Sequence, residues 1–203
     1  MKKIVVLFSG AGSNLASIIE KVHKKKMRDG EGCLGIEIVA AITNNSEAKG
    51  IEIATNKHIS TVVVDHKLFN SREDFDTKLV KVIQSYEPDL VVMAGFMRIL
   101  TPIFTSQLKA INLHPSLLPK YKGAKAIEQS FDSGDQEAGV SVHFVSDELD
   151  AGALILQEAF TRSDDESFES FVDKIKAIEH EILPRAIRKV LCEPAKDKQS
   201  QAR

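Results

Sequence analysis

Asn112 and His114 stand two residues apart in the run Ala-Ile-Asn-Leu-His-Pro-Ser-Leu-Leu-Pro-Lys-Tyr-Lys-Gly, residues 110–123. In a strand that spacing puts both side chains on one face. Pro115 biases His114 towards an extended backbone and stops the strand. An amide and an imidazole therefore stand side by side at the carboxyl end of a strand, where open α/β sheets bind ligands. An amide N–H stabilises a carbonyl oxygen, and an oxyanion more strongly. An imidazolium does the same and can also deliver a proton. Keeping it charged calls for a carboxylate. The loop Asp147-Glu148-Leu149-Asp150-Ala151-Gly152 offers Asp150 first, with Asp147 and Glu148 as alternatives.

A second constellation is Gly10-Ala11-Gly12-Ser13-Asn14, between an apolar run and a helical pattern. Free N–H groups at a helix N-terminus, with no Cβ in the way, hold anions. Leu15 stands where a dinucleotide fingerprint needs its third glycine, and the second strand ends in Thr43-Asn44-Asn45 without an acidic residue. Gly12 is followed by Ser13-Asn14, not by the Lys-Ser/Thr of a nucleoside-triphosphate loop. A small phosphorylated metabolite remains, against the plainer reading of a tight turn with Asn14 as a cap.

Other residues carry less. His143, between Val142 and Phe144 in a strand pattern, reads as a satisfied, partly buried histidine. His23, His58, His66 and His180 have no metal-ligand spacing, and no metal is expected. There is no Gly-x-Ser-x-Gly elbow, and Cys33 and Cys192 lie far from any strand-to-helix turn, so covalent catalysis has little support. Asp164-Asp165-Glu166 reads as capping and dipole complement for the last helix.

The elements that must position these groups alternate. Apolar runs at 4–8, 36–43, 61–64 and 90–94 read as strands buried on both faces. Between them lie helical patterns: Leu15, Ile18, Ile19 and Val22; residues 47–56; and a stripe of Phe75, Leu79, Val82 and Ile83 opened by Ser71 as N-cap. A short helix is expected at 104–109, then the Asn112/His114 strand, then a helix at 126–133. Residues 140–145 and 154–160 read as an antiparallel edge pair, and a long amphipathic helix at 167–190, kinked at Pro184, closes the fold. The βαβαβαβ order predicts an α/β fold: a Rossmann-like, doubly wound, mostly parallel sheet with the antiparallel edge pair near the C-terminus. Residues 1–194 are expected to form one domain, and 195–203 a polar, disordered tail.

Net charge is −2 over 203 residues, so nothing draws the whole surface to nucleic acid or anionic membrane. Lys24, Lys25, Lys26 and Arg28 read as a solvated run at a helix end. The apolar run at the N-terminus is too short for a signal peptide, and no stretch approaches a transmembrane length. Two distant cysteines make a reduced, cytoplasmic compartment the default.

The run from Asn112 to Gly123 resembles the signature of the folate-dependent formyltransferase family. The glycine loop at 10–14 is similar to the phosphate loop of the branch that formylates phosphoribosylglycinamide in de novo purine synthesis. Residues 94–100 are similar to its folate-pocket segment, and Ser141 to Val145 with Glu148-Leu149-Asp150 to its catalytic loop. The resemblance runs from Lys3 to about Val190. It implies transfer of the formyl group of 10-formyltetrahydrofolate, as co-substrate, to the glycinamide amine, giving the formylglycinamide ribonucleotide and tetrahydrofolate. By match of motif, Asn112 and His114 stabilise the oxyanion, His114 is the general acid, and Asp150 keeps it charged. Gly12, Ser13, Asn14 and Glu179 match substrate contacts. Arg72, Met97, Arg98, Ile99, Leu100, Asn112, Ser146, Asp147, Glu148, Leu149 and Asp150 match folate contacts. The resemblance also implies small-molecule partners, no nucleic acid or membrane, and a monomer or homodimer. Lys122, Ala124, Lys125 and Ala153 depart from common family residues. Rival readings are another folate-dependent formyl transferase, a formyltetrahydrofolate hydrolase on the same scaffold, and a non-catalytic binding protein. The transferase acting on tRNA normally adds a C-terminal domain, and the hydrolase an N-terminal one.

Overall fold

The computed structural model describes residues 1–25, 35–163 and 165–192. The expected tail at 195–203, Cys33, Lys26, Arg28 and Asp164 lie outside the described residues. Seven strands among the described residues form one sheet in the order β3-β2-β1-β4-β5-β6-β7. They are β1 (Lys2–Phe8), β2 (Ile36–Thr43), β3 (Thr61–Val63), β4 (Leu90–Met93), β5 (Ala110–His114), β6 (Glu137–Phe144) and β7 (Leu154–Thr161). The first five pair in parallel, and β6 runs antiparallel to both its neighbours. The doubly wound sheet is therefore as expected, and a single reversed strand makes its antiparallel part.

Alternation along β1 shows why helices cover both faces. Ile4, Val6 and Phe8 pack into one apolar cluster with Leu15 and Ile18 of α1 (Ser13–Lys21) and Phe171, Ile175, Ile182 and Leu183 of the last helix. Val5 and Leu7 face the other way, into a cluster with Phe75, Leu79 and Ile83 of α3 (Arg72–Gln84) and with Phe104. α2 (Gly50–Asn56) and α5 (Ala126–Asp132) complete the first layer, and that last helix is α6 (Phe168–Cys192). Ser71 caps α3 as expected, accepting the Asp74 N–H at 3.0 Å. α4 is Pro102–Thr105, upstream of the expected 104–109. Pro102 takes its first turn, where a missing N–H costs nothing.

At the start of α6 the Ser167 hydroxyl accepts the Ser170 N–H, whereas Glu166 pairs with Lys174. Ser167, and not Glu166, therefore supplies this cap. No described helix is long and apolar enough to cross a membrane.

Candidate active site

β5 delivers its two polar residues by the period of the strand. Ile111 and Leu113 face the α1/α6 layer, so Asn112 and His114 face the other side. β6 then places His143 directly opposite Asn112 and Ser141 opposite His114. Residues opposite one another in an antiparallel pair share a face. The cross-strand register thus adds His143, expected as a satisfied, partly buried histidine, to the cluster. That register was the missing signal.

Asp150 reaches these residues from the loop between β6 and β7. It sits in the left-handed region at φ 49°. Gly152 lets the loop close, because a Cβ there would stand 1.7 Å from the Phe144 carbonyl oxygen. Asp150 Oδ2 accepts the Gly123 N–H at 2.8 Å and lies 3.4 Å from His114 Nδ1. Its Oδ1 accepts from Asn112 Nδ2 at 3.3 Å and lies 3.4 Å from His143 Nε2. Of the three carboxylates open at the sequence level, Asp150 is the one beside His114. Asp147 instead accepts from the Thr105 hydroxyl, and Glu148 pairs with Lys122 at 3.0 Å.

Both nitrogens of His114 face oxygen: Nδ1 faces Asp150 and Nε2 faces the Tyr121 carbonyl at 2.8 Å. An imidazolium satisfies both with donors. Burial opposes the charge on Asp150. The His143 hydrogen bond, the Gly123 N–H and the two imidazoles outweigh it and hold the carboxyl below the ordinary carboxylate range.

The loop that supplies Tyr121 O and Gly123 N is itself held from behind. Ser141 Oγ donates to the Ser116 carbonyl at 2.6 Å and accepts from the Leu118 N–H at 3.0 Å. Gln157 on β7 donates to Leu118 O at 3.0 Å and to Ser141 Oγ at 2.8 Å. Neither residue carried a sequence signal beyond its place in a strand.

A cavity opens in front of the cluster. It is lined by Arg98, Ile99, Leu100, Asn112, Ser146, Asp147, Glu148, Leu149 and Asp150 of the expected folate set, together with Met93, His143 and Val145. Met97, largely exposed, and Arg72, exposed at the start of α3, lie outside that lining, and so does His114. The segment before α4 is pinned at two points. Ser9 Oγ accepts the Met97 N–H at 2.8 Å, and buried Asp76 accepts the Thr101 N–H and hydroxyl.

The glycine loop forms a separate group. Gly12 sits at φ +77°, and a Cβ on it would stand 2.6 Å from Gly50 Cα, so only glycine fits. Gly12 is the N-cap of α1 and brings no side-chain cap. Asn14 is not the cap either: its Nδ2 donates to Glu179 Oε2 on α6 at 2.9 Å, while its buried Oδ1 has no partner. Ser13 is exposed beside it. Burial raises the Glu179 carboxyl above the ordinary range against the Asn14 bond. The chain brings Gly12, Ser13, Asn14 and Glu179 into one place. Among the described residues no group of three or more His, Cys, Asp or Glu could hold a metal ion.

Residues 2–187 match the model of a family described as formyl transferase. The chain is 41% identical to phosphoribosylglycinamide formyltransferase of Escherichia coli (strain K12) over 186 residues, 91% of this chain and 84% of that protein. A crystal structure of phosphoribosylglycinamide formyltransferase from Campylobacter jejuni superposes with a TM-score of 0.89 at 51% identity, covering 93% of this chain and 97% of that one. This chain is also 38% identical over 191 residues to the trifunctional purine biosynthetic protein adenosine-3 of Chironomus tentans, but spans only 14% of that protein's length.

Proposed function

We infer, because the chain belongs to the formyl transferase family, that it transfers the formyl group of 10-formyltetrahydrofolate to the amine of phosphoribosylglycinamide. The observation that carries this reading is the Asp150 carboxylate, shared between His114 and the Asn112/His143 pair at a cavity lined by the folate-type segments. The substrate's amine lone pair attacks the formyl carbon, and the carbonyl π pair moves onto oxygen. The Asn112 amide faces the cavity and donates to that oxyanion. Collapse of the tetrahedral intermediate breaks the bond to the folate nitrogen, which leaves as the electron pair returns. A proton must leave the attacking nitrogen and reach the folate nitrogen. Asp150 lines the cavity with His114 behind it, so the carboxylate takes the proton from the attacking nitrogen and returns one to the folate nitrogen as it leaves, while His114 hydrogen-bonds the carboxylate from behind. No side-chain nucleophile is required, and the protein's work is to position two substrates and stabilise charge.

The phosphoribosyl end falls to the other group. Gly12 and Ser13 offer backbone N–H groups at the start of α1 for the phosphate, and Asn14 with Glu179 offers polar atoms to the sugar or amide. A spectrophotometric assay with purified protein, a 10-formylfolate and phosphoribosylglycinamide tests the reading. Turnover requiring both substrates supports it. Release of formate without the amine acceptor would make the protein a hydrolase instead.

A further inference from the structure

Pro184 lies inside α6. A proline has no N–H, so the carbonyl four residues earlier, at His180, loses its helical donor. That carbonyl is taken from another helix. Ser17 Oγ donates to His180 O at 2.6 Å and Lys21 Nζ at 3.1 Å. Lys21 also pairs with Glu181, and Arg188 donates to the Lys21 carbonyl. Asn14, Ser17 and Lys21 recur at i, i+3 and i+7, so they lie along one face of α1. Glu179, next to His180 on α6, meets the first of them. Apolar packing between α1 and α6 is non-directional and sets their register less sharply than directional bonds do. The bonds on the His180 carbonyl are directional, and Ser17, at 7% exposure, makes its bond away from competing water.

We propose that Pro184 is a positioning residue for the phosphoribosylglycinamide subsite. By freeing the His180 carbonyl for Ser17 and Lys21, it locks α6 against α1 in the register that sets Glu179 against Asn14. The inference rests on the substrate reading above.

Pro184→Ala restores an N–H that reclaims the His180 carbonyl for the helix. Alanine is the better helix residue but trimming the buried ring leaves a small cavity, so a purely structural role changes stability and leaves both KM values at the native level. The positioning role predicts that KM for phosphoribosylglycinamide rises about three- to tenfold, the worth of roughly one hydrogen bond. KM for the 10-formylfolate and kcat stay at the native level. Ser17→Ala shows the same selective rise, and Ser17→Thr, which keeps the hydroxyl, restores most of it. The double variant Ser17→Ala/Pro184→Ala is less than additive, because both changes act through one carbonyl. Unchanged KM in Pro184→Ala, equal rises in both KM values, or full additivity overturns the inference while native turnover leaves the substrate reading standing. Absence of turnover by the unmodified protein overturns the reading and this inference with it.

Discussion

Replacing Asp150 by asparagine removes a charge and almost no volume, yet no orientation of the new amide serves every neighbour. Oδ2 receives the Gly123 N–H and Oδ1 receives the Asn112 amide N–H. With its single oxygen turned to Gly123, the new amide N–H group meets the Asn112 donor. Turned the other way, it meets the Gly123 donor. One buried donor loses its acceptor in either case, at about 1–3 kcal/mol of stability. The charge adds a pH signature. Burial disfavours ionised Asp150, but the His143 and Gly123 bonds and the two imidazoles prevail and depress the carboxyl. A depressed carboxyl stabilises the fold above its unfolded value, near ~3.9 for aspartate, and loses that contribution as pH falls through the folded value. Urea unfolding of the native and Asp150→Asn proteins should therefore show the full stability gap at neutral pH and a narrower one near pH ~3. At saturating substrates kcat should drop by about 10²–10⁴, the usual worth of positioned acid–base catalysis. A variant with near-native kcat, or with the same stability gap at both pH values, would refute the role given to Asp150.

Glu179→Gln separates binding from stability. Burial raises the Glu179 carboxyl, so the native fold favours its neutral form and carries an uncomfortable charge once pH rises through that raised value. The variant should melt higher than the native protein at pH 8 and alike below the ordinary glutamate value of ~4.3, while KM for phosphoribosylglycinamide rises; a lower melting point at pH 8 would contradict this. Asp76→Ala leaves the Thr101 N–H and hydroxyl without their acceptor in a fully buried place. Denaturation should show a loss of about 1–3 kcal/mol, and KM for the 10-formylfolate should rise more than KM for the amine substrate. Gly12→Ala meets both a left-handed backbone and the Gly50 Cα, so steady-state kinetics should show KM for phosphoribosylglycinamide up about tenfold or more, from ~1–3 kcal/mol of strain.

What was legible in the sequence was whatever the chain specifies locally. The continuous apolar runs of β1, β2 and β4, the Ser71 cap and the two-residue spacing of Asn112 and His114 each announce their geometry within a few residues. The mostly parallel, doubly wound sheet follows because strands that alternate with helices admit few arrangements, whereas the strand order is given by the structure alone. Less legible was whatever depends on register between distant segments. His143 joins the cluster only because β6 sets it against Asn112, and one residue of slip would send it to the other face. Asn14 looks like a cap until α6 brings Glu179 to it across the first layer. Local spacing also misplaced α4, which starts at Pro102 and not at Phe104.

On this mechanism the formyl group passes in one transfer from folate to an amine, with no covalent stop on the protein. A single-turnover experiment with excess protein, 10-formylfolate carrying isotope in its formyl group, and phosphoribosylglycinamide tests it most directly. The label should move to the amine only when the acceptor is present, at the same rate as the deformylated folate appears, with intact protein unlabelled throughout. Label on the protein before it reaches the amine, or label lost as formate without acceptor, would contradict the account.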